Sequence, residues 1–142
     1  MRTLLRTALL GLCMNVSVLF AAASGDEILG TWVTDSGESK VEIVKNGQIY
    51  AGKIVSLREP ERDGKPVHDA NNKNAALRER PLLGLEILSG FKHTSNGLWT
   101  GGTAYSPRKG ESYPAELSVT KDNQLDVKVK DGIITKHVFW TR

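Results

Sequence analysis

Arg78 and Arg80 flank Glu79 at the head of the stretch RERPLLGLEILSGF, residues 78–91. Two guanidinium groups one residue apart can grip a carboxylate or a phosphate through paired N–H donors. An anionic head group held there would suit a ligand whose remainder is apolar, because an apolar run follows Pro81 directly. The same two residues can also be struts. Glu79, Glu86 or Asp69 could pair with them, or loop carbonyls could accept from them, and exposed ion pairs of that kind are common. Both readings stand open at the level of sequence.

Other residues offer less chemistry. His68 and Asp69, with Asn71 and Asn72, have the donor types of a metal or acid–base cluster. But His68, His93 and His137 are far apart and lack the short spacing that lets ligands converge on zinc. The cluster reads better as Asx-type turns in a polar loop, so neither metal nor cofactor is expected. No G-x-S-x-G elbow is present. Gly101-Gly102 has no helix start or Lys-Ser/Thr pair after it and is not a phosphate loop. Tyr50, Trp99, Tyr105 and Tyr113 could line a pocket with aromatic faces and hydroxyls, or simply fill a core. No catalytic constellation emerges, and an enzyme is the least favoured class.

The N-terminus reads as a secretory leader. Arg2 and Arg6 precede an apolar stretch from Leu9 to Phe20, and small residues Ala21-Ala22-Ala23-Ser24 follow. That apolar core falls short of the about 20 residues a spanning helix needs. Cleavage near Ala23 is expected, which makes the protein periplasmic or secreted. Residues 1–23 are then the signal peptide and 24–142 a single domain. The arginines are not adjacent, as a twin-arginine signal requires. Cys13 follows Leu12 rather than a small residue, which disfavours a lipid anchor. The whole chain has 19 Lys+Arg against 16 Asp+Glu; without Arg2 and Arg6 the count is 17 against 16, net +1. So slight an excess gives no reason to expect nucleic acid as a partner. Cys13 is the single cysteine, so the exported chain would have no disulfide and would rely on packing.

These residues must be positioned by strands. Extended runs recur over 28–34, 39–45, 48–58, 84–92, 98–105, 112–120, 124–130 and 133–141, with Asn46-Gly47, Ser95-Asn96-Gly97, Lys121-Asp122-Asn123 and Asp131-Gly132 as turns. Leu117 and Val119 alternate with Glu116 and Ser118, and Leu125, Val127 and Val129 with Asp126, Lys128 and Lys130, giving one dry face and one wet. The pattern predicts an all-β, eight-stranded antiparallel up-and-down barrel, since closure removes the two edges an open meander would expose. Such a barrel either fills with side chains or holds one small ligand. Residues 59–81 form a long polar loop between the third and fourth runs, with a short helix expected at 74–79, Asn74 as its N-cap and Pro81 as its stop. In the fourth run Leu83, Leu85, Ile87 and Phe91 are expected to face inward.

Gly30-Thr31-Trp32 resembles the G-x-W motif of the lipocalin-like, or calycin, barrels, in which a basic residue near the last strand packs on the first-strand tryptophan. Here the chain ends Trp140-Thr141-Arg142, so Gly30, Trp32 and Arg142 are the expected closure residues, with Arg142 over Trp32 in a cation–π contact. More widely, Gly52-Lys53-Ile54-Val55, residues 77–85 (LRERPLLGL), Ile87-Leu88, Gly90-Phe91, Trp99-Thr100-Gly101-Gly102 and the terminal Trp-Thr-Arg resemble the bacterial family called domain of unknown function 2147, over roughly residues 26–142. That resemblance implies a small exported protein with a lipocalin-like barrel and brings no established reaction or catalytic residues. The chain departs from the family at Tyr105-Ser106-Pro107, where Tyr-Asp-Pro is usual, so no role attaches to that acidic position here.

Two functions are compatible with these observations. One is an exported barrel that binds a small, partly apolar ligand with an anionic head group, using Arg78 and Arg80 near the mouth. The other is a protein–protein module of the cell envelope, an assembly factor or inhibitor, with a packed barrel and the 59–81 loop as its contact surface.

Overall fold

The computed structural model describes residues 24–95 and 97–142. The leader read over residues 1–23 and Asn96 of the expected turn lie outside the described residues. Among the described residues no helix is long and apolar enough to cross a membrane.

Among the described residues ten strands follow a 3₁₀ turn at Asp26–Ile28. They are β1 (Gly30–Val33), β2 (Ser39–Asn46), β3 (Ile49–Leu57), β4 (Glu61–Arg62), β5 (Lys65–Pro66), β6 (Glu86–Ser95), β7 (Leu98–Ser106), β8 (Glu111–Val119), β9 (Leu125–Asp131) and β10 (Ile134–Trp140). Eight of them form one antiparallel meander in the order β1-β2-β3-β6-β7-β8-β9-β10, while β4 and β5 make a small separate ladder inside the long loop. The sheet curls until its two edges meet at one bridge, forming a half-barrel. Period-two alternation does the sorting: on β8 and β9, Ala115, Leu117, Leu125 and Val127 are buried and face the lumen.

One end of the barrel is plugged. The chain crosses it at Gly25–Leu29, and Ile28 is wholly buried below. Trp32 donates its indole N–H to the Ile28 carbonyl at 2.8 Å, and Trp99 donates to the Gly25 carbonyl at 3.2 Å. Each buried indole thereby satisfies its donor on the plug that covers it. Phe91 packs onto Gly102, where a Cβ would lie 2.5 Å from the ring. The Gly101-Gly102 pair thus provides space for an aromatic ring.

The seam is joined at one point. Val33 and Thr141 exchange backbone hydrogen bonds of 2.6 and 3.0 Å. Arg142 then folds back, its guanidinium carbon 4.2 Å from the Trp32 ring centroid, and donates to the carbonyls of Glu27 and Leu29 and to the Asn123 side chain. From Ile134 to Phe139, β10 has no strand on its second edge among the described residues.

The fourth barrel strand departs from the expected alternation. It starts at Glu86, and Leu83 is 52% exposed instead of inward. Ile87 and Leu88 are both buried. Gly52 pairs with Leu88 and Lys53 with Glu86, so Ile87 is an extra residue, and between the Tyr50–Phe91 and Gly52–Leu88 pairs β6 again carries one residue more than β3. A bulge breaks the period of two and sends adjacent side chains to one side.

Replacing Arg142 with Ala removes the ring contact and three hydrogen bonds at an exposed site, and is expected to cost about 1–2 kcal/mol in urea unfolding. Trp32→Ala, which empties a wholly buried site, is expected to cost about 3–5 kcal/mol or prevent folding.

Candidate functional site: the open end of the barrel

The end opposite the plug holds a cavity of about 390 Å³. Its walls are side chains of facing strands: Ile54 from β3, Ile87 from β6, Ala104 from β7, Val127 and Val129 from β9, and Val138 and Trp140 from β10. Leu82 of the long loop completes one side, and the β1–β2 turn at Thr34–Ser39 stands across the seam from β10. The volume lies at the lower end of ordinary ligand pockets, about 300–1,000 Å³.

The lip is polar. Lys109 and Lys136 share the carboxylate of Asp131, at 3.2 and 3.9 Å. Lys109 also lies over the Tyr113 ring, 5.3 Å from its centroid. The Asp131 carboxylate pushes the Lys109 ammonium above its ordinary value, so it stays charged. Tyr113 donates to Glu111 at 2.5 Å, which raises its phenol above the ordinary value, and Glu111 in turn pairs with Lys73. Arg108, in the β7–β8 turn, pairs with Glu38 of the β1–β2 turn at 3.0 Å. Of the charged side chains that line the cavity, Arg108, Lys109 and Lys136 stand against Asp35, Glu38 and Asp131, and the local pairing of two ammonium groups with one carboxylate is confined to Asp131.

The residues singled out from sequence separate into three places. Tyr105 and Tyr113 line the cavity. Tyr50 and Trp99 are in the plugged end, where their rings meet edge to face at 6.2 Å and the Tyr50 hydroxyl donates to Asp26 at 3.0 Å. That hydroxyl and the Lys45 ammonium hold the Asp26 carboxyl below its usual range, Lys45 contributing most. Arg78 and Arg80 are off the cavity wall. Arg78 Nε donates to the Asn72 carbonyl at 2.8 Å, and Arg80 reaches Asp69 with Nε at 2.9 Å and Nη2 at 2.8 Å. Both arginines are directed into the loop that carries them.

Asp69 is the centre of that loop. It is 1% exposed and accepts from Arg80, from Asn72 at 2.8 Å and from the Tyr105 hydroxyl at 2.6 Å. Burial alone would push its carboxyl up. Hydrogen bonds from Asn72, Tyr105 and Arg80 outweigh burial and hold it below the ordinary 3.8. Burial and then the Asp69 bond raise the Tyr105 phenol, which remains a donor. Tyr105 thus presents its ring to the cavity and its hydroxyl to the loop. The loop is docked further by Asn71, which donates to the Pro107 and Arg108 carbonyls, and by Gly110, where a Cβ would fall 1.7 Å from the Asn71 carbonyl oxygen. The expected helix is a single 3₁₀ turn at Ala75–Leu77, capped by Asn74 accepting from the Ala76 N–H at 3.1 Å.

Lys109, Asp131 and Lys136 were not among the sequence candidates. Lys136 carried a usable signal, because it shares a face with Val138 and Trp140 by period two. Asp131 likewise shares the face of Val127 and Val129. Among the described residues no group of three or more His, Cys, Asp or Glu side chains could hold a metal ion.

Removing the Asp69 charge with Asn leaves Arg80 without its buried partner and is expected to cost about 3 kcal/mol at neutral pH. The folded carboxyl titrates below its unfolded value, so its contribution is complete above about pH 4 and is lost as pH falls through the folded value. Urea unfolding of wild type and Asp69→Asn should therefore differ at pH 7 and converge towards pH 2.

The arrangement belongs to a known architecture. Among solved structures the chain is similar to protein HP1028 from the human pathogen Helicobacter pylori, described as belonging to the lipocalin family, with a TM-score of 0.67, 22% identity, and coverage of 80% of this chain and 81% of that one. Identity at that level shows a shared fold. None of the curated proteins compared matches the chain. The family model described as an uncharacterized protein conserved in bacteria, DUF2147, matches residues 30–142, and the chain belongs to that family.

Proposed function

We propose that this protein is an exported binding protein that holds a small, partly apolar ligand in the open end of its barrel, with an anionic head group at the lip. The observation that carries the reading is the cavity itself: about 390 Å³ with aliphatic walls and a rim where Lys109 and Lys136 share Asp131. At about 30 Å³ for each water-sized group, that volume suits a ligand of roughly a dozen non-hydrogen atoms. An entering carboxylate would take the place Asp131 fills unequally, since Lys136 stands 3.9 Å away. This moves the head-group role from Arg78 and Arg80 to the two lysines. Export rests on the leader sequence, and reading the N-terminus of the protein as it accumulates in cells tests it.

A protein–protein role in the envelope has one observation in its favour. The free edge of β10 is flanked by Phe139, which is 44% exposed, and such an edge can accept a strand.

The test of the ligand reading is calorimetric titration with a medium-chain carboxylic acid and with the corresponding alcohol. Saturable binding of the acid is expected. Val129→Phe, which fills the cavity, should weaken both ligands at least tenfold with little change in thermal stability. Lys136→Gln should weaken the acid several-fold and leave the alcohol unchanged. Absence of saturable binding by either probe, or binding that Val129→Phe does not alter, would remove the proposal.

A further inference from the structure

The hairpin joining β9 to β10 carries two adjacent isoleucines where a tight turn ordinarily places polar residues. Ile133 is 104% exposed, which means no other residue shields it, and Ile134 is 56% exposed. Ile134 pairs with Asp131, so Gly132 and Ile133 alone form the tip, with Gly132 at a φ of 62°. The tip therefore projects as a two-residue turn.

Its surroundings are basic. Lys130 pairs across the hairpin with Thr135 and is exposed, and Lys136 and Lys109 reach Asp131 from either side. With Glu111 and its partner Lys73 beside Lys109, this corner has four ammonium groups against two carboxylates, an excess of two. The chain from residue 24 onward has a net charge of only +1, so the excess at this corner is larger than that of the chain as a whole. The same hairpin forms part of the cavity lip through Asp131 and Lys136.

An exposed apolar tip ringed by lysines matches the chemistry of an anionic lipid surface. Aliphatic side chains enter the acyl boundary while ammonium groups meet the phosphates. We infer that Gly132–Ile134 is a membrane-docking tip that seats the open end of the barrel against anionic lipid. With only two isoleucines and three lysines the contact is reversible, and it places the cavity lip beside the bilayer. The inference stands on the hairpin and does not require the cavity to be occupied.

The test is flotation of the protein as it accumulates in cells, its N-terminus read by mass spectrometry, with phosphatidylglycerol or phosphatidylcholine vesicles. Flotation with phosphatidylglycerol at low salt is expected, none with phosphatidylcholine, and loss of flotation as salt rises to about 0.5 M, where screening is short-ranged. Ile133→Ser should reduce partitioning at least tenfold with thermal stability unchanged, and Lys130→Glu should reduce it several-fold. No flotation with phosphatidylglycerol overturns the inference, as does flotation that Ile133→Ser leaves intact. A dimer that depends on Ile133 in analytical ultracentrifugation, without flotation, would assign the tip to a second copy of the chain instead. Ile133→Ser should keep wild-type affinity for the carboxylic acid in solution, so failure of docking and failure of cavity binding are separately visible.

Discussion

An eight-stranded meander becomes a barrel only if its first and last strands are held together, and here that junction is one backbone bridge and one guanidinium. β1 is four residues long and β10 seven. Val33 of β1 pairs with Thr141, the residue after β10, and among the described residues no other backbone pair joins the two edges. Arg142 reinforces the pair by lying on Trp32 and tying the plug segment to the β8–β9 turn through Glu27, Leu29 and Asn123. Trp32 is central because its ring lies beneath Arg142 while its N–H holds Ile28 in the plug. A half-barrel whose edges share a single backbone bridge leaves the rest of the seam without strand pairing, and the cavity occupies the end away from the plug.

The long loop solves a second problem by a different interaction. A polar segment between β3 and β6 has few apolar side chains with which to anchor itself. It is anchored instead by Asp69, a buried carboxylate whose lone pairs are matched by Arg80, Asn72 and Tyr105. Burying a charge is unfavourable unless it is paired and hydrogen-bonded, and this one has both. Because Tyr105 also forms part of the cavity wall, loop docking and cavity shape share one side chain. The close approach of Gly110 to Asn71 fixes the loop against the β7–β8 turn, where a larger residue would not fit.

The two ends of the barrel divide the aromatic residues. Trp32, Trp99, Tyr50 and Phe91 fill the plugged end, and their polar atoms are answered by the Gly25–Ile28 segment. The open end is walled chiefly by valine, isoleucine and leucine, which leave more space and offer no directional partner. The lip then carries the polar groups, as expected for a site that receives a ligand with one charged end.

Much of the fold was present in the linear chain. Strand number, turn positions and the inward faces of β8 and β9 follow from period-two alternation and turn residues, because those are local properties of neighbouring residues. The G-x-W motif and Arg142 likewise mark the two sides of the seam that come into contact. The bulges of β6 were hidden, since an extra residue is defined by what the partner strand places opposite it. Arg78 and Arg80 left ligand and loop open as partners, and the folded chain brings Asp69 and the Asn72 carbonyl within their reach. Lys109 was hidden for the same reason: it reaches Asp131 through the curl of the sheet, whereas Asp131 and Lys136 lie on one tight hairpin whose period-two pattern is legible in the chain. Sequence determines which segments are extended and which face is dry; curvature and loop docking decide which charges meet, because those distances are set across strands and not along the chain.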